Sequence, residues 1–207
     1  MKKLFFIIIL SINCCLVSNT LAKSGVLSVT TGESIKEYKI AYFAGGCFWC
    51  MEESFDKVKG VIKSVSGYSG GHVKNPTYKQ IIYKDTGHVE AIKVFYDPKQ
   101  TNYKELLKMF WENIDPFDAD GQFCDKGKSY RSVAFYQNLT QKKIIENSIL
   151  DIEKRFDKKK VVTLIWKFKK FYLAEDYHQN YYQRNFLKYL AYKSSCQREE
   201  TLNKIWN

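Results

Sequence analysis

Ala44-Gly45-Gly46-Cys47-Phe48-Trp49-Cys50 is the stretch on which the reading of this chain turns. Before it, Tyr38-Lys39-Ile40-Ala41-Tyr42-Phe43 is short, apolar and aromatic, which predicts a strand. After it, Met51 to Val58 carries Phe55 and Val58 at helical spacing, with Gly60 as a stop. Cys47 therefore falls where a strand turns through two glycines into a helix. Glycine allows backbone angles and close approaches that other residues resist. A helix N-terminus favours a thiolate, because its unpaired N–H groups and its dipole attract negative charge. Phe48 and Trp49 add two rings beside the sulfur. Together these features describe a nucleophile with its own apolar pocket. Two blander readings stand beside that one: a small buried hydrophobe, or half of a C-x-x-C zinc site. From this stretch alone they weigh about as much as the nucleophile.

Working outward, the N-terminus reads as a targeting segment. Met1-Lys2-Lys3 is a positive n-region, Leu4 to Val17 an apolar h-region, and Ala22 a small residue for cleavage. Residues 1–22 are thus expected to be a secretory signal peptide, and the mature protein to be exported, periplasmic or secreted. The apolar run is short for a membrane anchor. Cys14 or Cys15 would offer a lipidation site, although Asn13 is a poor residue to precede one. No other segment is long and apolar enough to span a bilayer, so membrane contact is expected only through the signal segment. Residues 23–37 are polar and read as a linker, 38–190 as the catalytic domain, and 191–207 as a C-terminal tail.

The chain of 207 residues is long enough for one domain with a real core. Its formal charge is +11, two less without Lys2 and Lys3. The lysines are scattered, densest at Lys158-Lys159-Lys160 and Lys167 to Lys170, and no nucleic-acid motif accompanies them, so no nucleic-acid partner is expected. The mature chain would hold Cys47, Cys50, Cys124 and Cys196. A domain of this size needs no disulfide staples, so a redox role is the better expectation for some of them.

The remaining patterns predict a strand over Val61 to Gly67 and a loop through Gly70-Gly71 to Pro76. A short helix follows over Tyr78 to Tyr83, then a strand over Val89 to Tyr96 closed by Asp97-Pro98. Asn102 and Glu105 signal a capped helix to about Asn113, with Leu106, Leu107, Phe110 and Trp111 on its apolar face. Asp115 to Ser129 reads as a loop, and Val133 to Tyr136 as a strand. Thr140 to Phe156 is an amphipathic helix (Ile144, Ile145, Ile149, Ile152), and Val161 to Ile165 a last strand. The order β-α-β-β-α-β is that of a split βαβ. The expected fold is therefore α+β: a ferredoxin-like sandwich with long loops, and an irregular C-terminal extension from Phe168 that wraps over the core.

Gly46-Cys47-Phe48-Trp49 resembles the active-site signature of peptide methionine sulfoxide reductase A. Further stretches resemble that family in the same order: Gly67-Tyr68-Ser69-Gly70-Gly71, Asn75-Pro76-Thr77-Tyr78, Gly87-His88-Val89-Glu90, Tyr130-Arg131-Ser132 and Ala174-Glu175-Asp176-Tyr177-His178-Gln179. The resemblance covers roughly residues 38 to 190. It implies reduction of the S epimer of methionine sulfoxide, in proteins and as the free amino acid. No metal or bound cofactor is implied, the enzyme is expected to be a monomer, and a thioredoxin-like reductant would restore it. Reducing a sulfoxide with thiols needs a thiolate to attack sulfur, an acid to protonate the departing oxygen, a pocket, and a second thiol. By resemblance Cys47 is the nucleophile and Glu90 the acid, its pKa raised by loss of solvation. Tyr78 and Tyr130 match the tyrosines that bind the sulfoxide oxygen, Asp125 an aspartate near the nucleophile, and Phe48 and Trp49 the methyl pocket. His178 belongs to a matching motif, and a packing role suits it as well as a direct one.

Cys50 departs from the commoner family pattern, which has Gly there. Candidates for the second thiol are Cys196, Cys50 and Cys124. Cys196 is favoured, because closing a long loop costs little more than closing a short one, and a Cys47–Cys50 bridge would reshape the pocket in every cycle. Three rival readings differ in class. A thioredoxin-like C-x-x-C oxidoreductase also puts its cysteines at a helix start, but usually with Gly-Pro between them. A zinc hydrolase would use His88-x-Glu90 with Cys47-x-x-Cys50, but in the wrong order. A basic binding protein would show salt-sensitive polyanion binding.

Overall fold

The protein is described by a computed structural model over residues 27–31 and 33–207. The signal segment expected at 1–22 lies outside the described residues. Within them the chain is a mixed α and β fold built on β2 (Glu33–Ala44), the strand that leads into Cys47. From Ile40 to Ala44 both faces of β2 are buried. Ala41 and Phe43 face one apolar cluster, with Phe48, Met51, Phe55 and Phe110. Ile40, Tyr42 and Ala44 face another, with Val89, Ala91, Val133 and Phe135. A strand covered on both sides reads as an unbroken apolar run, which is how 38–44 appears in the sequence.

The other elements take their places around it: α1 (Phe48–Asp56), β3 (Val61–Ser69), α2 (Tyr78–Tyr83), β4 (Val89–Tyr96), α3 (Tyr103–Glu112), β7 (Val133–Tyr136), α4 (Leu139–Arg155), β8 (Leu164–Lys167) and β9 (Phe171–Leu173). A small hairpin, β5 (Gly121–Gln122) with β6 (Asp125–Lys126), lies between α3 and β7. The main sheet runs β8-β7-β2-β4-β3-β9. All its pairs are antiparallel except β7 with β8, whose parallel pairing requires the long crossover that α4 supplies. Caps follow the sequence signals. Thr77 and Gln80 form a capping box on α2, and Asn102 accepts the Lys104 and Glu105 N–H groups at the start of α3.

Several expectations are corrected. The linker at 23–37 is in part extended, with β1 (Leu27–Thr31) pairing antiparallel to β2, Leu27 opposite Tyr38. Helix α1 begins at Phe48, three residues before Met51, and Cys47 is its N-cap. The strand expected at Val161 to Ile165 is displaced to Leu164–Lys167. Glu153 accepts the Val161 N–H and Pro116 O the Val162 N–H, which keeps both residues out of the ladder. The irregular C-terminal extension is instead strand β9 followed by α5 (Tyr181–Arg184), α6 (Phe186–Ser195) and α7 (Arg198–Trp206). Their apolar stripe is weak, since Phe186, Leu187 and Leu190 face solvent and Tyr189 is the buried residue of α6. Tertiary ties hold these helices instead. Tyr189 and Lys193 donate to Glu53, and the Trp206 indole donates to Ile114 O. Among the described residues no helix is long and apolar enough to cross a membrane.

Strand β9 attaches the C-terminal segment to the sheet through Gly67. A Cβ there would stand 2.3 Å from the Phe171 ring and 2.3 Å from Tyr172 O. Gly67→Ala should therefore lower stability by about 1–3 kcal/mol, the usual cost of forcing atoms into a packed site. The midpoint of urea unfolding measures it, and an unchanged midpoint would mean that β9 yields without loss.

Candidate functional site

The turn from β2 into α1 is set by Gly45 and Gly46. Gly46 has φ +79°, a left-handed angle that favours glycine, and a Cβ on it would lie 2.6 Å from Gln122 Cβ. Gln122 is buried against this turn and exchanges two side-chain hydrogen bonds with the Asp115 backbone, at 2.7 and 2.8 Å. Its strand partner is Asp125, across the hairpin turn Phe123-Cys124. The glycine thus lets the 121–126 hairpin close over Cys47 and brings Asp125 to the site.

Cys47 is 5 % exposed and Cys50 2 %. They lie one helical turn apart and share a hydrogen bond. Cys47 is the donor: burial, this bond and the nearby Glu90 and Asp125 carboxyls push its thiol well up. The same bond, with Arg198 and Tyr189 adding to it, brings Cys50 down to about 7 against the cost of burial. The pair therefore holds its first negative charge on Cys50.

Glu90, on β4, is 2 % exposed and accepts the Phe48 N–H at 3.0 Å. That N–H is one of the unpaired donors at the start of α1. Burial raises the Glu90 pKa well above the carboxylate range, with Asp125 and Cys50 adding to it, and the single N–H bond does not offset this. The carboxyl is therefore held as an acid beside the nucleophile. Tyr78 and Tyr130 are joined by a hydroxyl hydrogen bond and both face Glu90. Burial leads in raising both, with Tyr78 at about 12. They stay protonated and available as donors. Asp125 is raised by burial, although the Tyr192 hydroxyl donates to it and Arg198 and Lys126 attract it.

The rings close the site. Trp49 stacks on Tyr181 with centroids 3.8 Å apart, and its indole N–H donates to His178 Nδ1 at 3.2 Å. His178 packs against Phe48 and Tyr78, at 4.9 and 4.4 Å between centroids. Glu175 accepts the Tyr68 hydroxyl and the Tyr78 N–H, each at 2.8 Å, so one carboxylate fixes the start of α2 against β3. Of the residues expected in the site from the sequence, Cys47, Glu90, Tyr78, Tyr130, Asp125, Phe48 and Trp49 are brought together here, with Cys50 beside Cys47. Residues that the sequence reading passed over are Glu175, Tyr181, Tyr189, Tyr192 and Arg198. They come from a segment with weak patterning, and nothing separates these tyrosines from the rest of the 15.

The cysteines require a correction. Cys196 is bonded to Cys124, 72 residues away, and not available beside Cys47, whereas Cys47 and Cys50 are free. The C-terminal tail expected at 191–207 is instead the end of α6, the junction at Cys196 and helix α7. Cys124, Asp125 and Cys196 lie close enough together to suggest metal ligands, but two of them are joined to each other. The zinc reading also loses its histidine. His88 accepts the Gly71 N–H on Nδ1 and donates from Nε2 to Val73 O, so both nitrogens clamp a loop.

A family model described as peptide methionine sulfoxide reductase matches residues 39–207. The chain belongs to this family. The reductase is an oxidoreductase acting on sulfur. It is 46 % identical over 166 residues to the peptide methionine sulfoxide reductase MsrA 2 of Caulobacter vibrioides, covering 80 % of this chain and 84 % of that one. It is 47 % identical over 178 residues to MsrA of Listeria monocytogenes, covering 85 % and 98 %. Among solved structures it resembles Mxr1 from Saccharomyces cerevisiae in reduced form, with TM-score 0.66 and 30 % identity over 72 % of this chain and 86 % of that one. It also resembles methionine sulfoxide reductase A of Corynebacterium diphtheriae, with TM-score 0.65 and 29 % identity over 72 % and 75 %.

The hold of His178 on Trp49 gives the reductase a pH signature. Burial lowers the His178 pKa to about 4, with Glu175 opposing in part. The native ring therefore stays neutral while the unfolded ring takes a proton below about 6.5. Its contribution to stability is full above that pH and is lost as pH falls toward 4. The stability gap between wild type and His178→Gln should shrink by roughly 2 kcal/mol between pH 7 and pH 4.5 in urea unfolding. A constant gap would place the ring in solvent contact.

Proposed function

We propose that this reductase returns the S epimer of methionine sulfoxide to methionine, in proteins and as the free amino acid, with Cys47 as nucleophile and Glu90 as acid. The observation that carries the reading is a buried carboxyl that accepts the first N–H of the helix capped by Cys47, with burial raising its pKa. As the Cys47 sulfur approaches the sulfoxide, Glu90 gives its proton to the oxygen and takes up the Cys47 proton in its place. Cys47 takes the oxygen, and the sulfur–oxygen bond of the sulfoxide breaks. Methionine leaves, and Cys47 remains as a sulfenic acid. The Tyr78 and Tyr130 hydroxyls hold the oxygen throughout, while Phe48 and Trp49 hold the methyl group. Water is kept out by the rings, which protects the sulfenic acid and keeps Glu90 protonated.

Cys50 then closes a disulfide with Cys47, and a thioredoxin-like dithiol restores both thiols. What supports Cys50 over Cys196 is its hydrogen bond from Cys47, while Cys196 is bonded to Cys124. The strand order β7-β2-β4-β3 supports a split βαβ core, with β8 and β9 as additions at its two edges. The charged start and apolar run of residues 1–22 support export with that segment removed.

Glu90→Gln should slow methionine formation by roughly 10²–10⁴-fold, the usual worth of a general acid, with little change in substrate binding. A near-normal rate would remove Glu90 from the mechanism. In wild type the rate should fall as pH rises through the raised pKa of Glu90. Cys50→Ser distinguishes this reading from a thioredoxin-like exchange enzyme. It should still give one turnover on the separated S sulfoxide, whereas an exchange enzyme would lose all activity.

A further inference from the structure

Arg198 takes no part in the chemistry above, yet it is the one arginine or lysine buried among the described residues, 3 % exposed. Its guanidinium donates to Asn113 O at the end of α3, and more weakly to Gly45 O at 3.5 Å and Met51 Sδ at 3.3 Å. The Phe123 ring lies 4.4 Å from its central carbon. No carboxylate pairs with it within 4 Å among the described residues. A charge taken out of water without an ion pair is costly, and two carbonyls with a ring do not neutralise it. Gly45 precedes the nucleophile by two residues, and Met51 follows Cys50. The cation is thus wedged against both ends of the C-x-x-C segment. It is held there from behind, because the Cys124–Cys196 disulfide joins the residue after Phe123 to the residue two before Arg198.

The guanidinium sits against Gly45 O and Met51 Sδ, on the two residues that flank the cysteine segment, and the ionisable groups whose charge acts on or with Cys50 are Cys47, Glu90, Asp125, Tyr189, Tyr192 and Arg198. Only Arg198 is a cation. We propose that Arg198 is a positioning residue, the resident counter-charge of a Cys50 thiolate, and that it acts through Cys50 to drive closure of the Cys47–Cys50 disulfide. The proposal rests on the reading of Cys50 as the thiol that clears the sulfenic acid. In that step the Cys50 thiolate attacks the Cys47 sulfur, and a sulfur–sulfur bond forms as the S–OH bond breaks. Cys50 is oxidised, the Cys47 sulfur is reduced, and hydroxide leaves with a proton as water. The attacking species is the thiolate, so the step slows wherever Cys50 is protonated. The Cys50 thiol is lowered to about 7 first by the Cys47 hydrogen bond, and the Arg198 charge adds to that against the cost of burial.

The test uses the full mature chain with Arg198→Gln, which keeps donors to Asn113 but no charge, and Arg198→Lys, which keeps the charge. One equivalent of sulfoxide is added without reductant, and methionine release and Cys47–Cys50 bridge formation are followed by quenched peptide mapping from pH 5.5 to 9.5. Arg198→Gln should release one methionine per enzyme as wild type does. It should close the bridge about tenfold more slowly at pH 7, with the pH midpoint raised by about one unit. Arg198→Lys should restore the midpoint. An Arg198→Gln protein that is folded and keeps the wild-type midpoint would overturn the proposal and leave Arg198 as a tie between α7 and α3. Should the Arg198 variants not fold, alkylation of Cys50 in Cys47→Ser, with Arg198 intact, decides the matter. A midpoint near 7 supports the counter-charge, and one at or above the ordinary thiol value of about 8.5 overturns it. If instead wild type forms no Cys47–Cys50 bridge, the resolver reading itself fails, whatever the state of Arg198.

Discussion

The bond from the Phe48 N–H to the Glu90 carboxyl joins the two halves of the catalytic apparatus. It ties the first turn of α1 to the start of β4, and so fixes the distance between acid and nucleophile by backbone rather than by long side chains. It also satisfies one of the orphan donors at the helix start. A carboxylate there would be favoured by the helix dipole, yet burial is the larger effect and keeps the group protonated. The rest of the site follows from that burial. A carboxyl that stays protonated near neutral pH needs a dry surrounding, and the dry surrounding is the cage of Phe48, Trp49, Tyr68, Tyr78 and His178.

The same dryness acts on every ionisable group nearby. Cys47, Glu90, Asp125, Tyr78 and Tyr130 all move toward their neutral forms, and burial is the first cause in each. Cys50 moves the other way, because its hydrogen bond from Cys47, with Arg198 and Tyr189, outweighs burial. Among the two cysteines, Glu90 and Asp125, Cys50 is thus the favoured anion. That distribution suits a reaction in which protons must reach a departing oxygen while one sulfur remains able to attack another.

The C-terminal segment makes this arrangement possible. Strand β9 leads through Glu175 and His178, which fix Tyr78 and Trp49, to α6 and α7, which place Tyr189, Tyr192 and Arg198 over the cysteines. The segment has little apolar area of its own to bury, and Phe186, Leu187 and Leu190 stay in solvent. Its helices persist through specific polar ties and one disulfide. A surface held this way can be replaced piecemeal, whereas the sheet beneath it cannot.

How much could be read from the chain alone divides along physical lines. The strand into Cys47, the strands over 61–69, 89–96 and 133–136, and helices α2, α3 and α4 are written in local pattern, because each buries a stripe or a face against a single core and carries its own cap. Cys47 was singled out by its glycine turn, and Glu90, Tyr78, Tyr130 and Asp125 by the ordered motifs of the family resemblance; the structure brings these residues together. The C-terminal helices, the shift of β8, and the set Glu175, Tyr181, Tyr189, Tyr192 and Arg198 were not. The side chains of the C-terminal set depend on partners more than 50 residues distant, and the shift of β8 on Glu153 and Pro116, 8 and 46 residues before the residues they hold; a tyrosine that meets Glu53 is written no differently from one that meets water. The pairing of the cysteines belongs to the same class. Sequence spacing could not choose between Cys50 and Cys196 as partner of Cys47, because loop closure is nearly indifferent to length. Only the tertiary structure, by carrying Cys196 to Cys124 and leaving Cys50 under the Cys47 hydrogen, decided which sulfur is at hand.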